Sequence, residues 1–224
     1  MVMKNRKKIL IISLTLLASF TCAAETVTKG MKKVIDDALD FSVKQSMSKF
    51  YEMKDQKGIL PRTAENGKMI TCESAWWTSG FYPGTLWYCY EYSNDPQIRA
   101  AAEEMTSRVE KQKYTTSNHD VGFIINCSFG NGYRLTHNET YRKVIETAAK
   151  SLSTRFHPVT GCTRSWNSKK WQFSVIIDNM MNLELLTVAS SMTGDNSYYK
   201  KAKSHADRTM MNHFRPDGSS YHVV

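Results

Sequence analysis

Val34, Ile35, Ala38, Leu39, Phe41 and Val43 recur three and four positions apart between charged neighbours, the spacing of one face of a helix. The same period predicts helices over residues 83–92, 97–113, 119–129, 139–156, 173–192 and 197–213. Start and stop residues support several of them. Asp95-Pro96 places proline in a first turn. Thr136 precedes Glu139 by three positions, the spacing of a capping box. Gly194-Asp195 ends one helix and caps the next. Strand signals are weak, because no run of Val, Ile or Thr alternates between good turns. Connectors are short and polar, and no linker divides the chain. The pattern predicts one all-α domain of stacked αα-hairpins.

The first residues follow another rule. Lys4, Arg6, Lys7 and Lys8 precede an apolar stretch over residues 9–20, which is short for a membrane span. Small residues follow at Thr21, Cys22, Ala23 and Ala24. Residues 1–24 read as a secretory signal, which predicts export, a periplasmic location and a mature chain of residues 25–224 with no membrane-spanning segment. Cys22 offers an alternative, a lipid-bearing first residue, although Phe20 is bulky for that motif. Four cysteines remain, Cys72, Cys89, Cys127 and Cys162. None has metal-ligand spacing, so zinc is not expected and small buried apolar roles are.

The 224 residues are 41% hydrophobic and 23% charged, values of a globular chain. The formal charge of +9 falls to +5 without residues 1–24, which hold four basic residues and no acid. That excess suits an anionic ligand. It falls short of a nucleic-acid stripe, so no nucleic acid is expected as a partner.

Four segments carry candidate chemistry. Residues 75–84 crowd Trp76, Trp77, Phe81 and Tyr82 around a Pro-Gly helix opening. Such rings either stack on sugar faces or fill core. Arg164-Ser165-Trp166 forms a second aromatic cluster. His119-Asp120 opens another predicted helix, where an Asp is commonly just an N-cap. Asp178 lies between Ile176, Ile177 and Met180. An apolar setting raises a carboxyl pKa and favours a general acid, unless an Arg or Asn pairs with it.

Trp77-Thr78-Ser79-Gly80-Phe81-Tyr82-Pro83-Gly84, His119-Asp120-Val121-Gly122-Phe123, Arg164-Ser165-Trp166, Ile177-Asp178-Asn179-Met180-Met181-Asn182-Leu183 and Asp217-Gly218-Ser219-Ser220-Tyr221-His222-Val223 occur in one order. Together they resemble the N-terminal part of the unsaturated glucuronyl hydrolases, glycoside hydrolase family 88. The resemblance implies an (α/α)6 barrel of six helical hairpins. It implies an enzyme that hydrates the C4=C5 bond of an unsaturated uronate at the non-reducing end of lyase-generated oligosaccharides, with no metal or other cofactor. It assigns proton transfer to Asp178 and a second essential carboxylate to Asp120. His119 would bind sugar or orient Asp120, Trp77, Phe81 and Trp166 would wall the uronate subsite, and His222 would touch substrate.

Two features depart from the family pattern. Trp76 stands where an acid usually precedes the Trp, which predicts a small rearrangement at the rim. The length accommodates only three to four hairpins of about six, so the chain reads as the first half to two-thirds of a barrel. Ile176, Ile177, Met180, Leu183 and Leu186 are then expected to be partly uncovered at an open flank, and the chain alone to be inactive. A related unsaturated rhamnogalacturonyl hydrolase and a non-catalytic sugar-binding remnant are the alternatives. His119-Asp120-Val121-Gly122-Phe123 favours the glucuronyl family over the former.

Overall fold

The computed structural model describes residues 28–224. The secretory-signal reading, including Cys22, falls outside the described residues. The chain forms two compact units that divide after Ala38. Over its described residues the first unit is the leading part of helix α1 (Lys29–Met53), where Lys32 pairs with Asp36 and Lys33 with Asp37 one turn apart. Such exposed pairs contribute only a few tenths of a kcal/mol.

In the second unit, α1 ends by burying Met53. Arg108 holds this end, donating to the carbonyls of Lys54, Gln56 and Ile59 at 2.9–3.0 Å. A hairpin of β1 (Ile59–Glu65) and β2 (Lys68–Glu73) follows. Asn66 and Gly67 both take positive φ at its turn, 51° and 75°. That is the geometry an Asn-Gly pair adopts in a two-residue hairpin. The sequence expectation of weak strand content missed this turn signal. The register shifts between Pro61 and Thr63, which leaves Arg62 as a bulge residue. A bulge re-aims its side chain, and the Arg62 guanidinium lies over the Trp76 ring at 4.0 Å.

Three αα-hairpins come next. The first pairs α2 (Phe81–Ser93) with α3 (Pro96–Ser107). The second runs through α4 (Val121–Ile125), a π-helical turn over Asn126–Gly130 and α5 (Asn131–Thr136), then returns as α6 (Glu139–Ser153). A small hairpin, β3 (Phe156–His157) and β4 (Cys162–Thr163), leads on. The third pairs α7 (Asn179–Asn182) and α8 (Glu184–Thr193) with α9 (Asn196–Asn212). One apolar cluster joins Val121, Ile125, Ile145, Leu152, Leu185, Leu186 and Ala202 across the second and third hairpins. Another joins Met53, Leu86, Trp87, Ala101 and Met105 between α1 and the first. Among the described residues no helix is long and apolar enough to cross a membrane.

Several expectations are corrected. Residues 173–178 are not helical: Ile176 bridges Val223 in strand fashion, and the chain turns at Ile177 and Asp178 into α7. Val175 N–H donates to Val224 O, Ile177 N–H to His222 O and Ser165 N–H to Ser174 O, each at 2.9 Å. The β-branched Val175, Ile176 and Ile177 suit that strand-like path. It also buries Ile176, while helix packing buries Leu183 and Leu186, so of the five residues expected to be partly uncovered only Ile177, half-buried, and Met180, exposed, are so. Thr136 forms no capping box. Asn138 caps α6 instead, accepting from Thr140 N–H at 2.8 Å. All four described cysteines are free, and only Cys89 is fully buried.

Candidate active site

The first helix of each hairpin starts at the same place because glycines let the backbones touch. A Cβ on Gly80 would collide with the backbone of Ile124, and one on Gly122 with the backbone of Asn182. Gly84 lies similarly close to Cys127 O. Asn182 adds a polar clasp, its Oδ1 accepting from Phe123 N–H at 2.7 Å. The openings of α2, α4 and α7 are therefore adjacent, and each carries one of the sequence motifs.

Asp120 and Asp178 stand immediately before α4 and α7, yet neither side chain caps its helix. Asp95 and Asp195, at the starts of α3 and α9, do cap, accepting from Gln97 and Ser197 N–H at 2.8 Å. The ordinary N-cap explanation thus fails for these two acids alone among the four. His119 lies between them. Its Nε2 is 3.5 Å from Asp120 Oδ1 and 4.0 Å from Asp178 Oδ2. The His119 side chain is 2% exposed.

Burial dominates the electrostatics. It pushes Asp120 up to about 6, with the nearby Asp178 charge adding to the rise and Arg155 opposing it. Burial also raises Asp178, against the lowering influence of His222. One Asp178 oxygen, Oδ1, is buried without a hydrogen-bond partner. His119 is pushed down to about 4, chiefly by desolvation, while interaction with the Asn179 side chain opposes the fall. Near neutral pH the histidine is therefore uncharged, and the two carboxyls sit where one can hold a proton beside an ionised partner.

The aromatic residues assemble beside this pair. Trp77 packs edge-on against Phe81 at 5.9 Å, and Phe81 against Phe123 at 5.3 Å. Trp77 is 43% exposed, so it presents a free face. Trp166 is half-buried and its backbone bridges Asn118, next to His119. His222 is exposed, and its carbonyl receives the Ile177 N–H just before Asp178. The structure thus brings Asp120, Asp178 and His119 together, with Trp77 and Phe81 packed as one aromatic cluster. Sequence reasoning missed three residues. Phe123 completes the aromatic cluster, and its place three residues after Asp120, on the same helix face, was a usable signal. Asn179 underlies His119 and donates to Thr163 O at 2.7 Å. Arg155 reaches the site's electrostatics from the end of α6, and no local pattern announced it.

The sequence model of Glycosyl Hydrolase Family 88 matches residues 40–222. The chain belongs to this family. It is 46% identical over 151 residues to the unsaturated glucuronyl hydrolase of Formosa agariphila, covering 66% of this chain and 38% of that protein. It is 32% identical over 195 residues to the unsaturated chondroitin disaccharide hydrolase of Streptococcus pyogenes, covering 84% and 48%. A solved unsaturated glucuronyl hydrolase specific for heparin superposes with a TM-score of 0.78 at 41% identity, over 84% of this chain and 52% of that one. The fold is accordingly that of an (α/α)6 barrel, of which the described hairpins form part. The chain spans about half the length, or less, of the curated relatives it matches.

His119, Asp120 and Asp178 also offer one nitrogen and two carboxylate oxygens within 4.8 Å of one another. Among the described residues, these three could together hold a divalent cation. The same three groups can move protons without one.

Proposed function

We propose that the protein containing this chain is a glycoside hydrolase that removes an unsaturated uronic acid from the non-reducing end of glycosaminoglycan-type oligosaccharides. The observation that carries this reading is the pair of helix-mouth acids that cap nothing, held around a buried neutral histidine. The relatives' names support the substrate class.

The reaction follows from the substrate. Its C4=C5 bond adjoins the ring oxygen, so it is a vinyl ether. Protonated Asp178 delivers its proton to C4, and positive charge develops on C5, shared with the ring oxygen. The Asp178 carboxylate then takes a proton from water as the water oxygen bonds to C5. The resulting hemiketal collapses to a C5 ketone, the bond from C5 to the ring oxygen breaks, and the aglycone leaves from C1. Asp178 ends as it began. Burial keeps Asp178 from ionising too readily, and Asp120, the second carboxyl, is raised in turn by the Asp178 charge, since two adjacent charges repel. Neutral His119 can donate or accept a hydrogen bond without adding charge. The exposed face of Trp77 and the ring of Trp166 offer flat apolar walls to a sugar ring.

The test is turnover of an unsaturated chondroitin disaccharide, followed by loss of the ultraviolet absorbance of its double bond. It is run with this chain and with a chimera that adds the remaining length of the Formosa agariphila relative. Consumption by either, reduced about 10²–10⁴-fold by Asp178→Asn, supports the reading. No consumption by both, or full activity in the variant, removes it. The exported location proposed for residues 1–24 is checked separately by cell fractionation. Recovery of uncleaved protein in the cytoplasm would contradict it, and mass spectrometry of the new N-terminus separates cleavage from lipidation at Cys22.

A further inference from the structure

A cavity of about 520 Å³ opens between the end of α6, the β3–β4 hairpin and the segment that carries Arg164 and Asn167. Arg155 and Arg164 both line it, and no acidic residue does. Arg155 is 8% exposed. Its guanidinium is held by neutral oxygens: Nη1 donates to Thr116 O at 2.6 Å, Nε to Arg164 O at 2.7 Å, and Nη1 and Nη2 both reach Asn167 Oδ1 at 3.4 Å. Arg164 Nε is buried and meets no hydrogen-bond partner. Neither guanidinium forms an ion pair among the described residues.

Two neighbouring cations with one buried, unused donor are a costly arrangement. Burial and the Arg164 charge together push Arg155 down to about 10, against the smaller raising influence of Asp120. A buried charge of this kind is normally matched by an opposite one. The cavity also has an apolar side, where the His157 and Phe173 rings meet edge-on at 5.9 Å.

We infer that this cavity binds a tetrahedral oxyanion, sulfate or phosphate, between Arg155 and Arg164. Guanidinium donors approaching from two side chains suit an anion with oxygens in several directions, whereas a planar carboxylate is satisfied by one fork. The anion comes either as the free ion or as an ester on a saccharide whose ring rests on Phe173. The inference stands on the cavity and its donors and does not depend on the hydration chemistry.

Calorimetric titration of the chain with sodium sulfate, against sodium chloride at equal ionic strength, tests it. Saturable binding of sulfate is expected, weakened about tenfold or more by Arg164→Gln. Gln172→Glu places a negative charge at the exposed edge of the cavity without disturbing a buried group, and weakens binding comparably, so the test survives if Arg164→Gln misfolds. Thermal shifts are compared between wild type and variants, because sulfate stabilises any protein by exclusion from its surface. Unsaturated disaccharides with and without a sulfate ester separate the sources. A sulfate-dependent gain in affinity that disappears in the variants assigns the ester. Binding of inorganic sulfate with no such gain assigns the free ion. Absence of saturable sulfate binding, or equal binding by wild type and both variants, overturns the inference. Every readout is binding, so loss of turnover leaves it standing and loss of sulfate binding leaves the catalytic reading standing.

Discussion

Gly122 rests against the backbone of Asn182 with no room for a Cβ between them. This contact sets the distance between the helix mouths that carry Asp120 and Asp178. Both partners are backbone, so no side chain can swing aside to admit a methyl group.

Gly122→Ala is therefore expected to cost about 3 kcal/mol or more, at or above the upper end of overpacking effects, from a total stability of about 5–15 kcal/mol. Any catalysis should fall with it. Gly30, in α1, has open space around its Cα, and Gly30→Ala should be neutral or stabilise by up to about 1 kcal/mol. Urea denaturation of the two variants checks the contrast. Equal effects would mean that the mouths are not held by this contact.

The pH dependence of stability should conceal two opposed contributions. Asp120 titrates near 6 in the folded chain, above its ordinary 3.8, so the native state holds extra protons in that interval. Its contribution is present below about 3.8 and lost as pH rises through 6. His119 titrates near 4 instead of 6.5, so the unfolded state holds the extra protons. Its contribution is present above 6.5 and lost as pH falls toward 4. Asp120→Asn removes the first and leaves the second. The variant should be more stable than wild type at pH 8, by up to about 3 kcal/mol, and should lose stability more steeply between pH 6.5 and 4. Melting curves across this range decide it, and parallel curves for the two proteins would contradict the shifts.

Two tryptophans should part in their roles. Trp87 is fully buried and donates from Nε1 to Thr106 Oγ1 at 2.9 Å. Trp87→Ala should cost about 3–5 kcal/mol. Trp77 keeps 43% of its surface exposed, and Trp77→Ala should cost only about 1 kcal/mol while weakening disaccharide binding. A large stability loss at Trp77 with binding unchanged would return it to the core.

Exhaustive treatment with a chelator should leave disaccharide turnover unchanged, because the proposed proton transfers run on carboxyls alone. Loss of activity restored by a divalent cation would instead make His119, Asp120 and Asp178 a metal site.

The helical hairpins were legible because their buried stripes and caps are local. Asp95, Gly194 and Asp195 act at the positions where their types predict. Asp120 and Asp178 were legible through their motifs, but their freedom from capping was not, since the sequence of a capping Asp and a non-capping one looks alike. The helical reading of residues 173–178 failed because their hydrogen-bond partners, Ser165 and residues 222–224, are distant in sequence. Asn66-Gly67 was a local signal passed over for lack of alternating strands. Arg155 was invisible for the same reason as the extended segment. The groups that surround it, Thr116, Arg164 and Asn167, lie 39, 9 and 12 residues away in loops of no regular period.

The Asn182–Phe123 clasp closes a separation of 59 residues. Bringing such distant positions together requires loop closure before any contact rewards it. Each hairpin can form early from its own neighbours, yet neither alone holds more than one of the two acids. The pairing of the two acids is then an event of assembly, arriving with the docking of the second hairpin on the third. A chain stalled before that step would be rich in helix and inert, and its helical signal in a refolding experiment would run ahead of its capacity to bind a sugar.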